Sequence, residues 1–310
     1  MTQITSISFS SHIGIWAALG STASWALCAV LFKKLGERLD PIGMTMVKAL
    51  LSVLFLLPFI IILYGNLLLP WKDPALLAVS GCIGIALGDS FFCASLGRLS
   101  PLALAILLLA GPDVFAGVLG LVCLGEMPSW QVWSGIILIM VGMGGLLFPL
   151  PADQDGCSSK TTIYGLVFGV LALICTAASM VIIKPVLVRI PSMEATMFRM
   201  FFGGVLLLGY GILTGKLKAW SQPFRTGDYR WGFAGTVAIV TFGGFWLSLA
   251  AVKFLDLVVA SALMSLEPLF VLPFMIIFGK HKPTLKEIFC MFSAVAGVLV
   301  IVFFNTSKNI

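Results

Sequence analysis

Apolar residues in this chain come in long blocks separated by short polar breaks. Ten blocks, at about 13–32, 42–64, 75–96, 101–124, 129–149, 162–183, 194–214, 232–254, 257–278 and 285–304, reach the length of roughly 20 residues that a helix needs to cross the hydrocarbon core of a bilayer. Backbone groups deprived of water must bond within their own segment, so each block is read as a helix. The breaks carry turn residues and charge, as in Leu39-Asp40-Pro41, Lys72-Asp73-Pro74, Ser100-Pro101, Gly125-Glu126-Met127-Pro128 and Lys282-Pro283. Trp71, Trp130, Trp133, Trp220 and Trp231 fall at block ends, where interfacial aromatics sit. Trp25 and Trp246 fall deep inside blocks, which points them at an interior surface. Residues 150–161 and 215–231 are the two longer loops. The pattern predicts an all-α membrane protein with ten transmembrane helices and no soluble domain.

Composition agrees. Of 310 residues, 60% are apolar and 10% charged, and the mean hydropathy is +1.10. A soluble chain carries about a quarter charged residues, so a water-facing surface could not be covered. The net charge of +6 is scattered at block edges rather than gathered in a basic stripe, which excludes a nucleic-acid partner. Cys28, Cys82, Cys93, Cys123, Cys175 and Cys290 lie inside apolar blocks and Cys157 in a loop, so a disulfide scaffold is excluded too. His12 and His281 are far apart, and neither a metal site nor a cofactor is expected. No Lys or Arg precedes Lys33, so the first block is read as a retained span rather than a cleaved leader. No Gly-x-Ser-x-Gly, His-Glu-x-x-His or Asp-x-x-x-Asp pattern supports an intramembrane enzyme.

The chain repeats. Thr45-Met46-Val47-Lys48 recurs 151 residues later as Thr196-Met197-Phe198-Arg199, and the same offset joins Gly14 to Gly165 and Lys33 to Lys184. After a five-residue insertion, Gly88 meets Gly244, Ala94 meets Ala250, Leu99 meets Leu255 and Pro112 meets Pro268. Beyond a further single-residue gap, Pro128 meets Pro283 and Gly142 meets Gly297. The halves are therefore 12–149 and 162–304, joined by a polar loop over 150–161. Five spans are an odd number, so equivalent helices cross the membrane in opposite directions. Two such inverted repeats rocking about a midplane site are a common plan for secondary transporters.

At this level the residues resemble a family. Phe91-Phe92-Cys93-Ala94, the run from Leu109-Ala110-Gly111-Pro112 to Asp113-Val114-Phe115, Leu124-Gly125-Glu126 and Gly135 to Gly142 look like an EamA domain, and Leu266-Glu267-Pro268-Leu269 with Gly297 repeats the likeness. The resemblance covers nearly the whole chain and points to the drug/metabolite transporter superfamily. It implies that spans one to four and six to nine line a central cavity, with spans five and ten peripheral. The second half departs from the first in one respect. Gly279-Lys280-His281-Lys282-Pro283 stands where the first half has Gly125-Glu126-Met127-Pro128.

Five ionisable residues lie well inside the spans: Lys48, Asp89, Asp113, Arg199 and Glu267. Left uncompensated, they would cost about 12 kcal/mol or more in simple sum, so they must face the bundle interior. Lys48 and Arg199 are repeat equivalents, and either snorkel or bind solute. Asp113 and Glu267 flank the equivalent prolines Pro112 and Pro268, where the missing backbone donor leaves a polar spot. Asp89 aligns with Phe245 and so has no acidic counterpart; it is a candidate partner for Lys48. Phe92 and Trp246 join Trp25 as candidate cavity aromatics, beside Phe91 and Phe245. Gly84-x-x-x-Gly88 and Gly165-x-x-x-Gly169 permit close helix approach. Arg98, Glu126, Lys253 and Asp256, at span ends, are read as solvated loop charge.

The expected function is that of a secondary transporter, an exporter or exchanger of small polar or amphiphilic metabolites such as amino acids. Substrate-binding candidates are Trp25, Lys48, Asp89, Phe92, Asp113, Arg199, Trp246 and Glu267. A carboxyl in a dry site can couple transport to protons, with Glu267, Asp113 and Asp89 as candidates. A phosphorylated-sugar or nucleotide-sugar exchanger and a non-transporting membrane protein are the alternatives. The expected partners are a small-molecule substrate, protons as coupling ion and the lipid bilayer, in the cell (inner) membrane. Twelve loop cations on the side opposite the termini against five on theirs put the termini outside, whereas the resemblance implies cytoplasmic termini.

Overall fold

The computed structural model describes residues 2–36, 39–65, 74–96, 98, 111–147, 159–226, 230–267, 269–270 and 285–307, and every regular element among them is helical. The long helices are α1 (Thr2–Gly36), α2 (Pro41–Tyr64), α3 (Pro74–Gly81, then a π-helical Cys82–Asp89, then Ser90–Leu96), α4 (Gly111–Leu124), α5 (Trp130–Leu147), α6 (Ser159–Leu187), α7 (Ser192–Leu213), α8 (Arg230–Ile239, a π-helical Val240–Trp246, then Leu247–Phe254), α9 (Leu257–Met264) and α10 (Leu285–Ser307). Five stretches are long and apolar enough to cross a membrane: Pro41–Tyr64, Pro74–Ser95, Ile163–Leu187, Ser192–Leu213 and Arg230–Phe254. Trp130–Gly142 and Ile288–Ile301 are shorter apolar helices. Residues 101–110 and 271–278 of the expected fourth and ninth spans lie outside the described residues.

Local chemistry sets the helix ends. Asp40 accepts hydrogen bonds from the N–H groups of Ile42 and Gly43, both at 3.0 Å, and Pro41 opens α2 where no backbone donor is needed. Gly65, at φ 72°, closes the same helix in the left-handed conformation with its N–H on the Ile61 carbonyl. The expected loop over 215–231 is corrected: it contains a short surface helix, Leu217–Thr226. Leu217, Trp220 and Phe224 fall at i, i+3 and i+7, an amphipathic spacing hidden by the polar residues between them. Trp220 is accordingly not an interfacial aromatic. It is buried against Gly43 and Gly211 and stacks on Tyr210 with ring centroids 6.2 Å apart.

Packing follows the repeat. α5 lies along α10, and α2 along α7. α1 packs on α8 and α9 of the second half, while α6 packs on α3 and α4 of the first. Exchanging the halves reproduces the same set of neighbours. The agreement extends to single residues. Gly135 of α5 meets the Gly297 backbone of α10, and Gly142 meets Cys290; under the repeat, Gly135 maps to Cys290 and Gly142 to Gly297, so one contact is the image of the other. The π-helical stretches of α3 and α8 fall at matching positions too.

Hydroxyl bonds stitch the halves together, as between membrane helices generally. Ser21 of α1 lies 2.6 Å from Ser248 of α8, Ser52 of α2 lies 2.7 Å from Thr241 of α8, and Ser80 of α3 donates to the Ser179 carbonyl of α6 at 2.9 Å. Glycine backbones also bring α5 and α10 into close contact. A Cβ on Gly297 would stand 2.5 Å from the Gly135 carbonyl oxygen and 2.9 Å from the Ile139 nitrogen, and backbone cannot swing aside. Gly297→Ala should therefore destabilise the protein by about 1–3 kcal/mol, read as a lower Tm in detergent. Gly232→Ala, where a Cβ meets nothing within 4 Å, should leave Tm unchanged or slightly raised.

Candidate functional site

The polar centre is built around Lys48, two turns into α2 and only 2% exposed. Its ammonium donates to Asp89 Oδ2 of α3 at 2.8 Å and lies over the rings of Phe32 and Phe245 at 5.7 and 5.3 Å from their centroids. Asp89 ends the π-helical stretch of α3, and Phe245 lies within its counterpart in α8. The two positions are repeat equivalents, and both converge on one lysine. Lys48 is thus compensated by an acid on one side and by aromatic faces on the other.

Arg199, the repeat equivalent of Lys48, has different surroundings. It is 3% exposed, its Nη2 donates to Ser179 Oγ of α6 at 2.9 Å, and its Nε has no hydrogen-bond partner among the described residues. Asp89 lies within electrostatic reach of it but bonds Lys48. Gly84 makes room for this arrangement: a Cβ there would collide with Ser179 and come within 3.0 Å of Arg199 Nη2.

These residues surround a cavity of about 90 Å³ between the halves, enough for a few water molecules at roughly 15 Å³ each. Trp25 of α1, Asp89 and Phe92 of α3, Arg199 of α7 and Glu267 after α9 line it together. The structure therefore brings five of the eight expected residues to one cavity and places Lys48 behind Asp89. Trp246 is not among the lining residues; its indole N–H donates to Ser192 Oγ at 3.2 Å. Asp113 lies on α4, and its side chain is outside the described ones. Phe91 stacks on Phe168, 6.0 Å between centroids.

Glu267 owes its position to a break in its helix. A proline at 268 offers no N–H and excludes a helical bond to the carbonyl four residues earlier, that of Met264. α9 ends at Met264, the chain turns through Ser265 and Leu266, and Glu267 follows, buried in the cavity wall. Ser248, a polar neighbour of the helix-eight aromatics in the sequence, lines the cavity too; Thr22, Thr176, Ser179, Met180 and Met264 also line it and have no signal of that kind. Ser179 had one available signal: it stands 151 residues after Cys28, one turn along α6 from Thr176.

With the cavity in view, comparison with known proteins becomes informative. The EamA-like transporter family model matches twice, over residues 12–148 and 163–303. The chain belongs to the EamA-like transporter family. It is therefore a member of the drug/metabolite transporter superfamily and a membrane transporter, with a small-molecule substrate and a lipid bilayer as its partners. One solved crystal structure is similar over 96% of this chain and 97% of its own at 14% identity, with a TM-score of 0.69, a likeness of fold alone. No curated protein matches the sequence.

In this EamA-like chain, three charges expected to be solvated prove to be structural. Glu126 accepts from the Val258 N–H at 3.0 Å, capping α9, and lies 3.7 Å from Lys184. Lys184 donates to the Val252 and Leu255 carbonyls. Lys253 donates to the Ile190 carbonyl at 2.7 Å. Arg98 donates to the Ala94 carbonyl and lies 5.3 Å from the Phe168 ring centroid. The physical reason is common to them: helix ends and turns near the membrane leave carbonyls and N–H groups without partners, and these side chains supply them. Asp256 is exposed, as expected.

The ion pair gives a direct test. Lys48→Met leaves Asp89 buried without its cation and should cost about 3–5 kcal/mol, read as lost folded protein and a lower Tm in detergent. Adding Asp89→Asn should recover part of that loss. Strictly additive losses in the double variant would show that the two charges do not depend on each other.

Proposed function

We infer that the chain is a secondary transporter, an exporter or exchanger of a small polar or amphiphilic metabolite such as an amino acid, working by alternating access across ten spans in two inverted five-helix repeats. The observation that carries this reading is a charged cavity at the seam of two interlocked halves. Basic and acidic groups share its wall, Arg199 and Asp89 with Glu267, as a zwitterion requires. The rings of Trp25, Phe92 and Phe245 share the rest of the wall with hydroxyl and methionine side chains. A phosphorylated solute is a poorer match, because Lys48 spends its charge on Asp89. Alternating access would open the cavity to each side as the halves rock. A screen of metabolite levels in cells with and without the protein, followed by uptake of the hits into proteoliposomes, tests the function itself.

The proposed coupling ion is the proton, and Glu267 is its best carrier. Asp89 is committed to the Lys48 ammonium, and Glu267, which follows the turn at Ser265 and Leu266, lines the cavity where a solute can reach it. Glu267→Gln keeps the shape but cannot ionise. It should fold normally, with unchanged Tm, and lose the pH dependence of solute flux in proteoliposomes held at stepped external pH. An unchanged pH profile would make the carboxyl structural.

A further inference from the structure

We propose that Arg199 is the anchor for a carboxylate on the transported solute, whose apolar part lies against Trp25, Phe92 and Phe245. This rests on the transporter reading and goes further, by giving one of two repeat-related cations the solute and denying it to the other. The two positions began alike in the repeat and have been resolved differently. Lys48 has an acid at 2.8 Å and two aromatic faces. Among the described residues, Arg199, equally deep, has one serine hydroxyl and a buried Nε with no partner. A buried hydrogen-bond donor left unmade costs about 1–3 kcal/mol, and more on a charged group. A side chain that only held helices together would have been relieved of that cost by an acceptor, and the acid within reach serves Lys48 instead.

Geometry favours the carboxylate. Guanidinium is planar and presents a fork of donors that matches a carboxylate in two parallel bonds, whereas an ammonium is a point charge. Arg199 gives one arm of that fork to Ser179, an arrangement Gly84 permits by letting both side chains sit against α3, and its guanidinium lines the cavity. Lysine stands where a single acid is to be neutralised; arginine stands where a hydroxyl is its acceptor among the described residues. Trp25 and Phe245 meet edge to face with centroids 4.8 Å apart, forming an apolar wall on the same cavity.

The test uses the purified full-length protein in detergent at pH 7, titrated by calorimetry with matched pairs. These are leucine against leucinamide and 4-methylpentanoate against 4-methylpentanamide, with leucinol phosphate as a third kind of head group. Each carboxylate should bind about tenfold or more tightly than its amide. Arg199→Lys, which keeps the charge and loses the fork, should erase most of that discrimination while sparing affinity for the amides. Should that variant fail to fold, the wild-type pairs still decide. Amides that bind as well as carboxylates, discrimination that survives Arg199→Lys, binding of neither class, or a preference for the phosphate ester would each overturn the assignment. Flux of the bound carboxylates into proteoliposomes is measured separately. Binding with the stated preference and no flux would sink the transporter reading and leave the anchor standing.

Discussion

Charge in a low-dielectric interior must be compensated on the spot, and this requirement organises the centre of the protein. Two cations, Lys48 and Arg199, and three described acids, Asp89, Glu194 and Glu267, are buried among the apolar blocks. Breaking a buried pair costs far more than the pair itself contributes, because one charge is left stranded. The Lys48–Asp89 contact therefore fixes α2 against α3 more by what its loss would do than by its own strength. It also settles which cation has no acid of its own. Every distinctive feature of the cavity follows from that unequal division.

The division is possible because the repeat is nearly symmetric in backbone and not in side chains. Both halves place a π-helical stretch at the same depth, and both aim the residue near its end at the centre. One half supplies a carboxylate there, the other a phenyl ring, and Lys48 takes both. On the opposing helices, Cys28 stands where Ser179 stands in the second half. A thiol suits the already satisfied lysine; a hydroxyl suits the arginine that needs an acceptor. Two-fold packing fixes where groups can meet, and substitution within it decides what they do.

Much of this was legible in the residues. Block length pointed to an all-helical membrane protein, which the helices and five apolar spans bear out, and the absence of an acid opposite Arg199 pointed to Asp89 as the partner of Lys48. Local periodicity would also have revealed the surface helix, since Leu217, Trp220 and Phe224 carry its stripe. What stayed hidden depends on backbone detail that composition does not encode. A π-helical stretch shifts the facing of every residue after it, so Phe92 reaches the cavity while Phe91 stacks elsewhere and Trp246 turns to Ser192. Charges at span ends were misread for a related reason. In a membrane protein a helix end is short of water, and a nearby Lys or Glu is recruited to its unpaired carbonyls and N–H groups.

Glu126 shows how far this recruitment matters. It reaches from the end of α4 to cap α9 of the other half, and with Lys184 it gathers the ends of α4, α6, α8 and α9 on the side of the membrane that holds the α6–α7 turn. The repeat maps Glu126 onto His281, within Lys280-His281-Lys282, and Lys184 onto Lys33. In sequence, therefore, the acid of this acid-to-base pair is not repeated in the second half, where the corresponding positions are basic or ionisable to a cation. The departure from symmetry at residue 126 thus lies in side chains, since the halves share their helix neighbours while the first-half acid that joins four helix ends is not repeated in the second.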